Sequence, residues 1–133
     1  MPESILITDE LQMRHFGAQL IAACSSGGMI ALHGELGTGK TTMVRGALQS
    51  LGVSSGVRSP TYTLVEYYEF KPLSIAHFDL YRLADGEELE YLGFRDYLTP
   101  DTLCLIEWPN KAEGYLKDIG LNLYLAYDEK GRR

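Results

Sequence analysis

The spacing of apolar residues predicts two long helices. In the segment 9–25 the apolar side chains recur on one helical face, namely at Met13, Phe16, Leu20, Ile21 and Cys24. Thr8 or Asp9 is suited to cap the start of this helix, and Gly27-Gly28 to end it. The second predicted helix covers residues 41–51 and ends at a glycine.

Five shorter segments have the composition of β-strands. They are MIALH (29–33), YTLVEYYEF (62–70), LSIAHFDLYRL (73–83), TLCLI (102–106) and LNLYLAY (121–127). TLCLI is apolar on both faces, as expected of a central strand. The second and third segments alternate apolar with polar residues, and Lys71-Pro72 between them predicts a hairpin. Residues 86–98 indicate two short helices broken at Gly93.

The order of these elements indicates the fold class. Strands and helices alternate around a β-rich middle, which points to a layered α/β fold with a mixed sheet rather than a purely parallel one. The chain has 133 residues without an internal repeat or linker, and this length is sufficient to bury a core. We therefore predict a single domain over residues 1–133.

Charge and cysteine content exclude several classes of protein. The net charge is −6, from 12 basic and 18 acidic residues, whereas unaided nucleic-acid binding depends on a basic face. Cys24 lies in a helical pattern and Cys104 in an apolar run, which predicts two reduced, buried thiols and a cytoplasmic protein. We expect neither a signal peptide in MPESILITDE nor a membrane span, which needs roughly 20 apolar residues.

The most specific motif lies between the first strand and the second helix. Residues 34–41, GELGTGKT, match the pattern G-x-x-x-x-G-K-[ST] of a phosphate-binding loop. Its glycines allow several backbone N–H groups to point at one anion, and the following helix directs its positive dipole end there. Lys40 can reach the β- and γ-phosphates, and Thr41 can ligate Mg²⁺. The sequence therefore predicts a nucleoside-triphosphate site in a P-loop NTPase-like three-layer sandwich with a mixed, mainly parallel central sheet.

A magnesium-bound triphosphate also requires a carboxylate at the end of a neighbouring strand. Glu107 directly follows TLCLI and is the best candidate, although a solvated strand end is the alternative. Asp79 interrupts the apolar-rich segment HFDLYRL, so it either bonds locally or faces the cleft. The residues thus offer two acidic candidates.

Two further features have both a functional and a plain structural interpretation. In SPTYTL (59–64), Thr61 either meets the γ-phosphate or its water, or belongs to an ordinary turn. Trp108 either stacks on the base or on a partner, or completes the core.

NKAE (110–113) resembles the guanine-reading pattern N-K-x-D, but it has Glu in place of Asp and does not directly follow the strand. We therefore do not expect guanine specificity.

The histidines are not expected to carry chemistry. His33 and His77 fall in predicted strands, and His15 is expected on the surface. No cluster of cysteine and histidine in the sequence suggests a zinc site.

Four motifs, in this order and within so short a chain, closely resemble those of the bacterial TsaE family, formerly YjeE. They are GELGTGKTT, SPTYTL, HFDLYRL and IEWP, and the likeness runs from about Thr8 to Gly131. Members of this family are small P-loop ATPases required for making threonylcarbamoyladenosine next to the anticodon of tRNA. The phosphate loop alone is generic, whereas the other three motifs together are specific.

The resemblance implies roles for particular residues. Thr41 and Glu107 would bind Mg²⁺, and the catalytic set would be Lys40, Asp79, Glu107 and Thr61. The residues that would bind ATP or ADP are Glu10, Gly34, Glu35, Leu36, Gly37, Thr38, Gly39, Lys40, Thr41, Thr42, Asp79, Trp108 and Gly131. Family members usually continue past the Gly-Arg pair that matches Gly131-Arg132, which puts the adenine side of the site in question.

The resemblance also implies partners. ATP would be hydrolysed when the chain, itself a monomer, associates with a TsaD–TsaB-like complex that modifies tRNA, so its contact with tRNA would be indirect. No arginine is obviously aimed at the γ-phosphate; the candidates are Arg45, Arg58 and Arg82, of which Arg58, near SPT, is the best placed. We therefore expect slow hydrolysis alone and faster hydrolysis with partners. A small-molecule P-loop kinase and a nucleotide-sensing adaptor without hydrolysis are the alternative functions.

Overall fold

The computed structural model of the chain describes residues 4–24, 27–35, 37–52, 64–71, 73–91, 93–116 and 119–127. The helices are α1 (Glu10–Ala23), α2 (Lys40–Ser50) and α3 (Glu88–Tyr91). The strands are β1 (Gly28–His33), β2 (Val65–Tyr68), β3 (Ser74–Asp79), β4 (Thr102–Glu107) and β5 (Leu121–Tyr124). Two 3₁₀ turns, Phe94–Tyr97 and Pro109–Ala112, complete the described elements.

The five strands form one mixed, mainly parallel sheet in the order β2-β3-β4-β1-β5. β1 pairs in parallel with both β4 and β5, β3 pairs in parallel with β4, and only β2 is antiparallel to its neighbour. The β2–β3 pair confirms the predicted hairpin, and β4 is the central strand, as predicted. All six residues of β3 are buried, because this strand lies inside the sheet with both of its faces covered.

Helices cover both faces of the sheet, which confirms the three-layer α/β fold. On one face α1 and α2 enclose a core that includes Met13, Ile21 and Leu48. On the other face α3 and the two 3₁₀ turns enclose a second core that includes Phe78 and Phe94. The loop between β1 and α2 therefore starts at the carboxyl end of the sheet and leads into a helix that is anchored by packing.

The start of α1 follows the prediction and its end does not. The Asp9 side chain accepts a hydrogen bond of 2.8 Å from the Gln12 N–H, as expected of a helix cap. The predicted end at Gly27-Gly28 is wrong, because Cys24 already has an extended backbone and Gly28 is the first residue of β1. None of the helices formed by the described residues is both long and apolar enough to cross a membrane.

Both cysteines are free thiols in the structure, as predicted, but the predicted burial is confirmed for Cys104 and is wrong for Cys24, which is only partly buried. Cys104 is buried in β4, and burial raises the pKa of its thiol to about 12. Burial also raises the pKa of the partly buried Cys24 thiol. Because the thiolate is the reactive form of cysteine, neither residue has the character of a nucleophile.

Two glycines allow α1 and α2 to pack closely. A Cβ atom added at Gly17 would lie 2.0 Å from the carbonyl oxygen of Met43, and one added at Gly46 would lie 2.2 Å from the carbonyl oxygen of Arg14. Both neighbours are backbone atoms of the facing helix, so they cannot be moved aside by a change of rotamer. The contact between the helices therefore requires the absence of a side chain at both positions.

Replacing Gly46 with alanine should lower the free energy of unfolding. In an exposed helix the same change raises stability by about 1 kcal/mol, but here we expect a net loss of about 1–3 kcal/mol from overpacking. Chemical denaturation measures the difference, with Gln49→Ala at an exposed position of the same helix as the control. A Gly46→Ala protein as stable as the parent would contradict the packing described for α1 and α2.

Candidate nucleotide site

The glycine-rich loop joins the carboxyl end of β1 to the amino end of α2. Gly39 is the cap residue of α2, and its backbone is left-handed, with φ 105° and ψ 13°, a conformation that favours glycine. Among the residues that the structure describes, no side chain makes a capping hydrogen bond to the first turn of α2. This end of the helix is therefore available to an anion, which its backbone N–H groups and dipole favour.

The loop is braced by its own residues and by the chain that follows β5. Thr38 is buried, and its hydroxyl donates a hydrogen bond of 2.8 Å to the Glu35 carbonyl. A Cβ atom added at Gly34 would lie 2.7 Å from the Leu125 carbonyl oxygen and 2.8 Å from Thr38 Oγ1. The Tyr127 hydroxyl donates to the Gly37 carbonyl. The loop is thus held in place from two sides.

Lys40 lies across the mouth of this loop. Its Nζ donates a hydrogen bond to the Gly34 carbonyl and lies 3.9 Å from the centroid of the Trp108 ring. Burial lowers the pKa of Lys40, while the nearby carboxylates of Glu107 and Asp79 raise it. The ammonium group therefore lies close to the loop, the aromatic ring and both predicted acidic residues.

Glu107 meets Thr41 at the carboxyl end of β4. The Thr41 hydroxyl oxygen is 3.4 Å from each carboxylate oxygen of Glu107, and Glu107 is only 2% exposed. The solvated strand end that the sequence left open is therefore excluded. The two residues predicted to hold a metal come together from different elements, the helix after the loop and the central strand.

Asp79 is beside Glu107, because the two residues pair in the parallel register of β3 and β4. Its Oδ1 accepts a hydrogen bond of 3.1 Å from the Tyr81 N–H. Burial raises the pKa of this carboxyl; Glu107 raises it further, while the bond from Tyr81, His77 and Lys40 act in the opposite direction. Asp79 therefore combines both predicted alternatives, a local bond and a place beside the other charged groups.

Replacing Asp79 with asparagine should raise the melting temperature at pH 7. The ordinary pKa of this carboxyl is 3.8 and its pKa in the folded protein is higher. The buried charge therefore lowers stability above the folded pKa, and this loss is relieved as the pH falls through that pKa towards 3.8. Asparagine keeps an oxygen that can accept from the Tyr81 N–H.

Thermal unfolding between pH 7 and pH 3 checks this prediction. We expect the difference between Asp79→Asn and the parent to be largest at pH 7 and to vanish below the ordinary pKa of 3.8. Asp85→Asn is the matched control, because Asp85 is exposed and also accepts a backbone N–H bond, from Glu87. An Asp79→Asn protein that melts at or below the parent at pH 7 would contradict the prediction.

Trp108 has a structural role and also lies at the site. Its backbone is left-handed, with φ 57°, directly after β4. The half-buried ring packs against the second core, its centroid is 4.9 Å from that of Tyr81, and it carries the Lys40 ammonium on one face. The structure confirms the contribution of Trp108 to the core, whereas its stacking on a base or on a partner stays a prediction.

The other predicted residues fall into three groups. Glu35 is exposed and Thr42 lies partly buried in the first turn of α2. Glu10 forms a salt bridge of 2.8 Å with Arg14 on the surface of α1, and Arg14 is its ion-pair partner among the described residues. Leu36, Thr61 and Gly131, together with Arg58, lie outside the described residues.

The sequence interpretation missed one residue of the site. His77 lies in β3 as predicted, but its Nε2 is 2.6 Å from Glu107 Oε2. The available signal was its position two residues before Asp79, since alternate residues of a strand share a face. The partner strand could not be assigned from sequence, so the contact with Glu107 was not predictable.

The donor set at this site suits a hard cation bound together with a nucleotide. It consists of the Thr41 hydroxyl and the Glu107 carboxylate, with Asp79 adjacent. Within the described ranges no three histidine, cysteine or acidic residues form a metal-binding group. Mg²⁺ is usually bound by one or two carboxylates completed by phosphates and water, so the residues present fit this ion when phosphates accompany it.

Comparisons with known proteins agree on one family. The family described as "Threonylcarbamoyl adenosine biosynthesis protein TsaE" matches residues 7–133. A Haemophilus influenzae protein named "tRNA threonylcarbamoyladenosine biosynthesis protein TsaE" is 46% identical over 131 residues, covering 95% of this chain and 83% of that protein. A Bacillus subtilis protein of the same name is 37% identical over 109 residues, covering 81% of this chain and 68% of that protein.

A solved structure supports the fold alone. The crystal structure of YdiB from Bacillus subtilis aligns with a TM-score of 0.63 at 23% sequence identity. The alignment covers 86% of this chain and 73% of that one. The layered arrangement of helices and sheet is therefore shared with an experimentally determined protein.

Proposed function

Because this chain belongs to the TsaE family of threonylcarbamoyladenosine biosynthesis proteins, we propose that it is a magnesium-dependent ATPase that serves the modification of tRNA. ATP is bound through its phosphates by residues 34–41 and hydrolysed to ADP and phosphate. The observation that carries this proposal is the meeting of Thr41 and Glu107 beside Lys40, at the uncapped end of α2.

Each of these residues has a distinct task in the proposed reaction. The backbone N–H groups of the loop and the dipole of α2 hold the phosphates. Lys40 leaves the Gly34 carbonyl and places its charge on the β- and γ-phosphates. Thr41 and Glu107 would hold Mg²⁺, which when bound would neutralise charge that develops on the phosphate oxygens. Asp79 lies at the phosphate end of the nucleotide, where its carboxylate orients water.

Five further residues complete the proposal, and three of them, Arg58, Thr61 and Gly131, lie outside the described ranges. Thr61 belongs to a switch-like segment at the γ-phosphate, and Arg58 beside it is the first candidate for a charge aimed at the transition state. Gly131 and Glu10 flank the adenine, and Trp108 lies near the nucleotide or a partner. These roles are supported by the motif resemblance and by the family to which the chain belongs.

The partner in this proposal is a TsaD–TsaB-like complex that carries out the transfer to tRNA. The net charge of −6 supports indirect contact with tRNA, because a surface that binds the phosphate backbone alone is basic. Turnover of ATP resets the complex between cycles in the cytoplasm. Hydrolysis by the isolated chain, which we propose is a monomer, is slow, because the charge needed at the γ-phosphate is completed in the assembly.

The release of phosphate from ATP tests this proposal, measured with and without the partner complex, in Mg²⁺ and in EDTA. We expect turnover to rise by at least about 10-fold when the partners are added, given what a supplied transition-state charge contributes, and to stop in EDTA. Transfer of phosphate to an added small molecule would favour the kinase alternative. Binding of ATP without phosphate release under any condition would favour the nucleotide-sensing adaptor.

A further inference from the structure

A buried histidine is in contact with the carboxylate of the candidate metal site. His77 is fully buried in β3, and its Nε2 lies 2.6 Å from Oε2 of Glu107. The other ring nitrogen, Nδ1, is also buried and has no hydrogen-bond partner among the described residues. Within that part of the chain, the polar contact of the ring is the one between Nε2 and Glu107.

Strand register explains why the two side chains meet. His77 pairs with Leu105 and Asp79 pairs with Glu107 in the parallel β3–β4 ladder. Ile75 and Leu105 point into the core beneath α1 and α2, and alternate residues of a strand share a face. His77 and Glu107 therefore lie on the face that also carries the first turn of α2 and Thr41.

We propose that His77 is a positioning residue: its Nε2–H holds the Glu107 carboxylate in the orientation in which both oxygens face Thr41, and this sets the affinity of the site for Mg²⁺. The inference rests on the proposed function of the site. It assigns His77 no contact with nucleotide and no transfer of a proton.

The hydrogen-bonding capacities of the two groups determine which nitrogen carries the proton. An ionised carboxylate only accepts, so Nε2 must be the donor. A neutral ring with its proton on Nε2 leaves Nδ1 without a proton, and this arrangement avoids an unpaired N–H in the buried surroundings of that atom. The neutral tautomer with its proton on Nε2 therefore accounts for the contact with Glu107 and for the buried Nδ1 that lacks a partner among the described residues.

The consequence for Mg²⁺ follows from the geometry of the carboxylate. Each Glu107 oxygen lies 3.4 Å from Thr41 Oγ1, so the two oxygens are equally close to the hydroxyl. Tilting or shifting the carboxylate out of this symmetric arrangement would move at least one oxygen away from Thr41. A residue that orients a metal-binding side chain typically changes metal affinity by about 10- to 100-fold when it is removed.

Two substitutions of His77 distinguish the effect of the hydrogen bond to Glu107 from the effect of keeping a polar side chain at this position. In His77→Gln the side-chain amide nitrogen can occupy the place of Nε2 and donate to Glu107. In His77→Asn the shorter side chain keeps a polar group near the place of Nδ1 but cannot reach Glu107. The calorimetric affinity for ADP is measured for the parent and both variants, in EDTA and over a series of Mg²⁺ concentrations.

We expect His77→Asn to weaken the Mg²⁺ affinity of the protein–ADP complex by about 10- to 100-fold and to leave the affinity for ADP in EDTA unchanged. His77→Gln should recover most of this loss. Equal Mg²⁺ dependence in all three proteins would overturn the inference, and so would an equal loss in both variants while circular dichroism shows them folded. A parent protein whose affinity for ADP is unaffected by Mg²⁺ would instead reject the proposed function.

If the variants do not fold, a spectroscopic measurement on the parent protein tests whether Nε2 of His77 is the hydrogen-bond donor. Long-range ¹H–¹⁵N spectra of the histidine rings identify which nitrogen of His77 carries the proton. We expect the proton on Nε2, both before and after addition of Mg²⁺ and ADP. A proton on Nδ1 would remove the donor on which the positioning depends and would overturn the inference.

Discussion

Replacing Lys40 with alanine is expected to reduce partner-stimulated ATP turnover by about 10²- to 10³-fold, the usual effect of losing one preorganised electrostatic contact to a transition state. The Lys40 ammonium lies within the loop, bonded to the Gly34 carbonyl and close to Glu107 and Asp79. Burial lowers the pKa of Lys40 although the nearby carboxylates raise it, so a phosphate group bound in the loop would further stabilise its charged form. Phosphate release measures the effect.

Lys71→Ala is the control for this prediction, because Lys71 is an exposed lysine in the β2–β3 hairpin. We expect it to hydrolyse ATP at the parent rate. If Lys40→Ala retained turnover within about 3-fold of the parent, its contribution would be far below the range for such a contact, and the assignment of the loop as a catalytic phosphate site would be wrong.

The second large effect is expected for Glu107→Gln. Glutamine has nearly the same shape but no charge, so the proposed Mg²⁺ site would lose the anionic ligand that hard cations prefer. We expect ATP turnover to fall by at least about 10²-fold, since the charge neutralisation supplied by the metal would be lost. The affinity for ADP in EDTA should remain close to that of the parent, because the loop and Lys40 are unchanged. Turnover and calorimetric binding together give the result.

Glu113→Gln is the matched control for Glu107, because Glu113 is an exposed glutamate just beyond the Pro109–Ala112 turn. It should have no effect on either measurement. Turnover by Glu107→Gln at the parent rate would place the metal elsewhere. Binding without turnover in this variant, with turnover in the parent, would argue against the adaptor alternative.

Much of the fold could be predicted from local patterns. The apolar spacing in α1, the capping side chain of Asp9 and the apolar run of β4 each describe a single element, and each was correctly predicted. The order of the strands could not be predicted, because it depends on which hydrophobic faces pack together. The end of α1 at Ala23 was missed for a related reason, since Gly28 is used by the adjoining strand rather than by the helix.

The candidate site likewise contains residues that could be predicted from the sequence and one that could not. The loop and Lys40 could be found because a phosphate site imposes a fixed spacing within one segment. Glu107 could be proposed because it ends an apolar strand, and its contact with Thr41 agrees with that proposal. His77 could not be found, because its role depends on the register between β3 and β4, which brings together residues thirty positions apart. Its position two residues before Asp79 places it on the same strand face, but no local pattern in the sequence identifies Glu107 as its partner.

The central claim is that the backbone N–H groups of residues 34–41 hold the phosphates of a magnesium-bound nucleotide. The most direct test is a titration of ¹⁵N-labelled protein with ADP in Mg²⁺, followed through the backbone amide resonances. We expect the largest shifts at Gly37, Gly39, Lys40 and Thr41, and we expect that adenosine, which lacks phosphate, does not produce them. Amides of the loop that remain unshifted at saturating magnesium–ADP, in a well-folded protein, would contradict this claim.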